Sequence, residues 1–136
     1  MQTIYVGMAL TDAPEEFRTT FQAELKTALR KISDVEVLDF VGLEKGTAAD
    51  VYEYDRKCTE DCDLLVAICD HASIGLGMEV VFRHSTKKPL LLFAHKDSKV
   101  TRMLLGFAEG EGYVFTRYEN VDEIVSEVKK EIEKFS

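Results

Sequence analysis

The sequence has little of what disulfide-linked, membrane-spanning or secreted proteins depend on. Its 136 residues include no Trp, two Pro and three Cys. The odd number of cysteines (Cys58, Cys62 and Cys69) argues against a disulfide framework and favours a reducing compartment. No apolar run approaches the ~20 residues of a membrane-spanning helix, and the first residues lack the basic segment of a secretory signal. We therefore expect a cytoplasmic protein that does not bind membranes.

Positive charge is scarce as well. Lys and Arg number 17 against 25 Asp and Glu, which gives a net charge of −8. This excess of negative charge repels the phosphates of a nucleic acid, so we expect no nucleic-acid polymer as a partner. A small anion can still bind where local dipoles outweigh the overall field. The length predicts a single domain over residues 1–136, large enough to bury a core without a disulfide or a metal.

Short apolar runs alternate with stretches of helical periodicity along the chain. The predicted strands cover residues 4–8, 35–41, 63–69, 90–94 and 113–115, and the predicted helices cover 13–32, 50–61, 78–85, 99–107 and 121–135. This alternation predicts an α/β fold in three layers, a five-stranded parallel sheet with helices on both faces, Rossmann- or flavodoxin-like. Ligands of such sheets bind outside the carboxyl ends of the strands, where the strand order reverses.

The segment that follows the strand at 63–69 is the most informative part of the sequence. It reads Asp70-His71-Ala72-Ser73-Ile74-Gly75-Leu76-Gly77-Met78-Glu79. Gly75 and Gly77 let a ligand approach the backbone, and the amides of the following helix favour an anion. Glu79 would lie in the first helical turn, where the dipole favours an ionised carboxylate, as a nucleophile at a sugar carbon requires. Acidic residues are common in first turns for the dipole alone, so a structural Glu79 stays open.

Asp55 is the second carboxylate of interest, on the predicted helix 50–61. An exposed helix face explains it without any function. If Asp55 instead faces the carboxyl end of the sheet, it can donate a proton to a leaving base or orient it.

Other kinds of site find less support in the sequence. Cys58, Cys62, Cys69 and His71 lack the usual zinc spacing, so we expect buried cysteines, no metal and no cofactor. The sequence contains no phosphate-binding P-loop motif and no serine-hydrolase elbow around Ser73.

Several segments together resemble one enzyme family. Ser73–Glu79 matches the pattern S-x-G-x-G-x-E, and the segments 4–7, 88–91 and 103–106 extend the likeness over most of the chain. The sequence resembles the nucleoside 2-deoxyribosyltransferase superfamily, and within it most of all the 2′-deoxynucleoside 5′-monophosphate N-glycosidases. The resemblance implies a domain of this kind that acts on a nucleoside or its 5′-monophosphate, as a homodimer or a larger homo-oligomer.

The resemblance also implies roles for individual positions. Glu79 falls on the nucleophile, which holds the deoxyribosyl group covalently, and Asp55 falls on the acid that handles the leaving base. Tyr5 matches a first-strand tyrosine near the nucleophile. Ser73 matches a phosphate-contacting serine, and Thr101 a serine that reaches the active site of a neighbouring subunit. The other expected substrate-binding residues are Gly7, Asp70, Gly75 and Gly77.

Two positions depart from the monophosphate branch and leave the substrate open. Ala9 and Thr11 stand where that branch has a Ser and an Arg for the phosphate, and a charge-assisted contact is worth about 1.5–3 kcal/mol. Arg18, Arg83 or Arg102 could replace the cation. The final acceptor, water or a second base, is also open. A non-catalytic nucleotide sensor remains an alternative, as does a flavodoxin-like redox or signalling domain, although Cys-x-x-Cys and an acidic triad are lacking.

Overall fold

The chain folds around one parallel sheet of five strands in the order 2-1-3-4-5. The computed structural model describes residues 1–39 and 46–135. The strands are β1 (Gln2–Met8), β2 (Val35–Val37), β3 (Leu64–Ile68), β4 (Leu90–His95) and β5 (Phe115–Tyr118). The helices are α1 (Gln22–Arg30), α2 (Ala48–Asp61), α3 (Ile74–Thr86), α4 (Arg102–Glu111) and α5 (Val121–Glu133). A π-helical turn (Phe17–Phe21) comes directly before α1. The predicted fold class is confirmed.

Each face of the sheet buries its own apolar core. In the central strand β3, Leu64, Val66 and Ile68 point to one face, and Leu65 and Ala67 point to the other. All five are completely buried, which explains why β3 is a continuous apolar run. α1 and α5 cover the first face, and α2, α3 and α4 cover the second.

The strand order reverses at β1, which pairs with β2 on one side and β3 on the other. Gly7 and Met8 at the end of β1 lie opposite Ala67 and Ile68 at the end of β3. Connections that leave neighbouring strands in opposite directions open a crevice at this edge of the sheet. The fold therefore places Gly7, one of the predicted site residues, at the edge where ligands of such sheets bind.

Several boundaries differ from the predictions, and one of them changes the site. α3 begins at Ile74 and not at residue 78, because the Ser73 hydroxyl accepts a hydrogen bond from the Leu76 amide and caps the helix. α2 begins at Ala48, before the predicted residue 50, behind a capping box. The predicted strand 35–41 covers Val35–Val37 in the structure, and its positions 40 and 41 lie outside the described residues. α4 and β5 begin two to three residues later than predicted.

The three cysteines are free and buried, as predicted. Within residues 1–39 and 46–135, no group of three or more His, Cys, Asp or Glu side chains is placed to hold a metal ion. The helices of the same ranges include none that is long and apolar enough to cross a membrane.

Candidate active site

A cluster of polar side chains lies between β1, α2 and α3. The Tyr5 hydroxyl donates to Asp55 Oδ1 at 3.0 Å, and the Thr59 hydroxyl donates to Glu79 Oε2 at 3.2 Å. Asp55 and Thr59 are one turn apart on α2 and so share a face of that helix. The fold thus brings together both predicted carboxylates and the predicted tyrosine, although they come from three separate elements.

Gly7 leaves space beside the Glu79 carboxyl group. A Cβ added at Gly7 would lie 3.5 Å from Glu79 Oε1 and 3.0 Å from a methyl carbon of Leu76. The φ angle of Gly7 is not positive, so the backbone conformation does not demand glycine. The close approach of α3 to the end of β1 leaves little room for a side chain instead, because an added Cβ would press on Leu76, and Gly7 lies beside the Glu79 carboxyl group.

The two carboxyl groups lie in surroundings that disfavour their ionisation. Burial, followed by the charge of Asp55, raises the pKa of Glu79 to about 8, against the opposing hydrogen bond from Thr59. Burial also raises the pKa of Asp55, and the hydrogen bond from Tyr5 opposes this. Because the groups interact, they titrate as a pair that carries one proton near neutral pH. Burial and the two carboxylates raise the pKa of Tyr5, so its hydroxyl stays a donor.

The prediction that the helix dipole keeps Glu79 ionised is wrong. Because α3 begins at Ile74, Glu79 lies in the second turn of the helix. The dipole acts mainly on groups within the first turn. Desolvation therefore outweighs it at Glu79, and the carboxyl group holds its proton at neutral pH.

Ser73, Gly75 and Gly77 lie at the start of α3 and not in a loop before it. The Ser73 hydroxyl accepts from the Leu76 amide at 3.1 Å. A Cβ at Gly75 would meet only Ser73 Oγ, at 3.9 Å, and one at Gly77 would meet nothing within 4 Å among the described residues. The space outside this turn is therefore open to a ligand or to a second copy of the chain.

Ser73 and Gly77 also line a cavity of about 290 Å³ between α3 and α4. Lys99 and Thr101, the N-cap of α4, belong to the same cavity. Neither Glu79 nor Asp55 is among the described residues that line it, since these two face α2 and β1. The structure therefore does not bring Thr101 to the Glu79 of its own chain.

Asp70 lies apart from the acid pair. Its Oδ1 accepts a hydrogen bond from the His95 amide at 2.9 Å, and its Oδ2 accepts one from the Tyr118 hydroxyl. These bonds tie the end of β3 to the ends of β4 and β5. Asp70 also lines a cavity of about 460 Å³ that lies on the α1 and α5 side of the sheet. Asp70 therefore contacts β4 and β5, and its predicted part in substrate binding stays a prediction.

One curated relative matches the chain. A protein of Thermofilum pendens named "Putative 2'-deoxynucleoside 5'-phosphate N-hydrolase 1" is 30% identical over 93 residues, which are 66% of this chain and 64% of the relative. The chain thus spans just under two thirds of the length of that relative. The predicted resemblance to the nucleoside 2-deoxyribosyltransferase superfamily is confirmed. No protein-family model matches the chain.

Three solved structures share the fold of this chain. The CMP N-glycosidase BcmB of Clostridium botulinum superposes with a TM-score of 0.72 at 15% identity, over 94% of this chain and 98% of that one. A 2-desoxiribosyltransferase from Leishmania mexicana superposes with a TM-score of 0.60 at 19% identity, over 83% of this chain and 73% of that one. A conserved protein from Enterococcus faecalis V583 superposes with a TM-score of 0.67 at 15% identity, over 96% of this chain and 99% of that one. At these identities the likeness shows the fold alone.

Sequence reasoning missed Thr59 and misjudged Arg83. The Arg83 side chain is completely buried and donates hydrogen bonds to five backbone oxygens, those of Thr59, Glu60, Cys62, Asp63 and Pro89. The suggestion that Arg83 replaces a phosphate-binding cation is therefore wrong. A signal was present in the sequence, since Arg83 continues the buried stripe of Leu76 and Val80 on α3.

Proposed function

We propose that the chain cleaves the N-glycosidic bond of a nucleoside or a nucleoside 5′-monophosphate, with Glu79 as covalent nucleophile and Asp55 as the acid for the leaving base. The observation that carries this proposal is the acid pair: two carboxyl groups from α2 and α3, both with raised pKa, of which Glu79 borders the space that Gly7 leaves. Such perturbed pairs cluster at catalytic sites. The names of the similar proteins, an N-hydrolase, an N-glycosidase and a desoxiribosyltransferase, support the same chemistry.

The first half of the proposed reaction starts from the less populated protonation state of the pair, in which the proton has passed from Glu79 to Asp55 and Glu79 is ionised. A carboxylate oxygen of Glu79 bonds to C1′ while the C1′–N bond breaks, and the electron pair of that bond passes to the base. Asp55 gives its proton to the departing base. The products are the free base and a glycosyl ester of Glu79. Tyr5 orients Asp55 through its hydrogen bond.

The second half regenerates the acid pair. Water attacks C1′ and gives a proton to the Asp55 carboxylate, and the electrons of the ester bond return to Glu79. When a second base takes the place of water, the product is a new nucleoside. Hydrolysis and transfer therefore differ in the acceptor that reaches the ester, and the Glu79 step is common to both.

A 5′-phosphate fits the start of α3. Helix N-termini bind phosphate through their free amides, and the open side of Gly75 and Gly77 leaves room for it. Lys99 lies in the same cavity as Ser73 and supplies a cation that Ala9 and Thr11 do not. These features favour a nucleoside 5′-monophosphate over the free nucleoside.

A base-release assay tests the proposed function. The chain is incubated with each common deoxynucleoside and its 5′-monophosphate, with and without an acceptor base, and free base is measured by chromatography. We expect release from at least one monophosphate. Lys99→Met is expected to lower kcat/KM for the monophosphate about tenfold, the value of one charge-assisted contact, and to spare the nucleoside. Ligand binding without base release across the whole panel would favour the non-catalytic sensor.

We also propose that copies of the chain associate through α3 and α4. Ile74, Met78, Val81 and Met103 expose between 45% and 88% of their surface on these helices, and an apolar patch of this kind marks an interaction surface. Association there would carry Thr101 toward the site of a second copy. Sedimentation equilibrium is expected to show a dimer or a larger assembly that Met103→Glu weakens, whereas a concentration-independent monomer contradicts this.

A further inference from the structure

Thr59 is a buried polar residue whose hydroxyl group serves a distant carboxylate. Its side chain is completely buried. Helical Ser and Thr hydroxyls commonly bond the carbonyl four residues earlier, as Thr19 and Ser85 do in this chain. Thr59 instead reaches across to α3 and donates to Glu79 Oε2 at 3.2 Å. This departure from the common local bond needs a reason.

The backbone of Thr59 is fixed by the same helix that carries Glu79. The Thr59 carbonyl accepts a hydrogen bond from the Arg83 guanidinium at 3.2 Å. Arg83 lies one turn after Glu79 on α3. Two contacts, one from the side chain and one from the backbone, therefore hold a single residue of α2 against a single turn of α3. This arrangement fixes where the hydroxyl points.

The two oxygens of the Glu79 carboxyl group have different surroundings. Oε2 accepts from Thr59, whereas Oε1 faces the space that Gly7 leaves, where an added Cβ would come within 3.5 Å. A carboxylate held by one oxygen presents the other in a fixed direction, and orientation of this kind lowers the barrier of a bond-forming step. Oε1 is therefore the oxygen available to C1′.

We propose that Thr59 is a positioning residue for Glu79: its hydroxyl holds Oε2, aims Oε1 at the sugar and favours the ionised carboxylate over the protonated acid. This inference rests on the proposed function for the part that concerns the sugar. A hydrogen bond donated to a carboxylate is stronger than one donated to a neutral acid. Thr59 therefore lowers the pKa of Glu79, whereas desolvation raises it. This matters because Glu79 must ionise before it attacks C1′.

The groups that face Glu79 determine how this effect can be measured. Asp55 and Cys58 face it from α2, and Tyr5 faces it from β1. Burial raises the pKa values of Cys58 and Tyr5, so both remain neutral near pH 7. Asp55 is thus the charged group that works against Glu79, and Thr59 works in the opposite direction. Loss of the Thr59 hydroxyl is expected to move the titration of Glu79 upward.

The test compares Thr59→Val, which keeps the shape and loses the donor, with Thr59→Ser, which keeps the donor. For each variant, unfolding is measured from pH 5 to pH 10 and base release at pH 7. In wild type the part of the decline of stability with pH that belongs to Glu79, taken as the difference from Glu79→Gln, ends near the pKa of Glu79, about 8. The buried thiols of Cys62 and Cys69 add a separate decline above about pH 9, which this difference removes. In Thr59→Val we expect this end point to rise by about one pH unit and kcat/KM to fall about tenfold. Thr59→Ser is expected to match wild type in both.

The controls separate positioning from packing and from failure of the proposed function. Thr27→Val makes the same chemical change at an exposed position on α1 and is expected to change neither readout. If Thr59→Val lowers the melting temperature equally at every pH and leaves the end point unmoved, Thr59 is only a packing residue. If wild type releases no base, the shift of the end point still tests the contact, because unfolding needs no substrate. Should Thr59→Val not fold, Thr59→Cys, with its weak S–H donor, gives the same comparison.

Discussion

Glu79→Gln is expected to abolish base release and, at pH 8, to make the chain more stable than wild type. The amide keeps the shape of the side chain and its carbonyl oxygen can still accept from Thr59. It cannot form the glycosyl ester, so kcat is expected to fall by about 10³-fold or more. A gain of stability together with a loss of activity is expected where a buried carboxyl group destabilises the fold but is needed for the reaction.

The direction of the stability change follows from the pKa of Glu79, which is about 8 in the folded chain against an ordinary value of 4.5. Between these two pH values the folded chain holds a proton that the unfolded chain has lost. The contribution of Glu79 to the free energy of unfolding therefore falls as the pH rises from about 4.5 to 8 and is constant above that. The size of the shift sets an upper limit of about 5 kcal/mol on this loss. Glu79→Gln removes the linkage, so its stability is expected to change far less over the same range.

Unfolding by urea at pH 5, 6, 7, 8 and 9 measures this difference, with base release as the second readout. Glu53→Gln is the matched control, because Glu53 carries the same charge at an exposed position on α2. It is expected to follow the wild-type profile and to retain base release. Parallel profiles for wild type and Glu79→Gln would show that the carboxyl group is solvated in the folded chain. Retained base release in Glu79→Gln would remove it from the mechanism.

The fold was predictable because short-range patterns and long-range packing agree in most elements. β3 is an apolar run with both faces buried, and α5 has an apolar stripe behind the N-cap Asn120, whose side chain accepts a hydrogen bond from the Glu123 amide. α3 is the instructive exception. Gly75 and Gly77 suggested a loop, yet they lie inside the helix, because capping by Ser73 and the burial of Leu76 and Val80 together outweigh the low helix propensity of two glycines.

The site was predictable only in part. The resemblance to a family indicated Glu79, Asp55 and Tyr5, and the structure brings these three together. The sign of the Glu79 pKa shift was not predictable, because desolvation depends on what α2 and β1 place around the carboxyl group. Thr59 was missed for a related reason: its partner lies 20 residues away, and no local pattern reports such a contact. Asp70 has a motif position but contacts Tyr118 and His95 instead.

Arg83→Met is expected to lower the free energy of unfolding by about 4 kcal/mol. The last carbonyl groups of a helix have no hydrogen-bond donors within the helix. At the end of α2, the completely buried Arg83 side chain donates hydrogen bonds to them. The same guanidinium also bonds the carbonyls of Asp63, just before β3, and of Pro89, just before β4. Methionine fills the volume but removes one donor from each of these oxygens. The oxygens of Glu60 and Pro89 keep a second donor, the Lys88 ammonium group and the Leu65 amide, and the cost arises where a buried oxygen loses its partner.

Two further variants test whether the loss of stability depends on the planar guanidinium group of Arg83. Arg83→Lys keeps the positive charge but has a single nitrogen, which cannot reach both Pro89 and the end of α2, so we expect about half of the loss. Arg102→Met removes an exposed arginine at the start of α4 and is expected to change stability by less than about 0.5 kcal/mol. Urea unfolding at pH 7 gives all three values. A loss below about 1 kcal/mol in Arg83→Met would mean that water reaches these carbonyls once the guanidinium is gone. A large loss would show that the contact between α2 and α3, which places Asp55 and Thr59 beside Glu79, depends on one buried arginine.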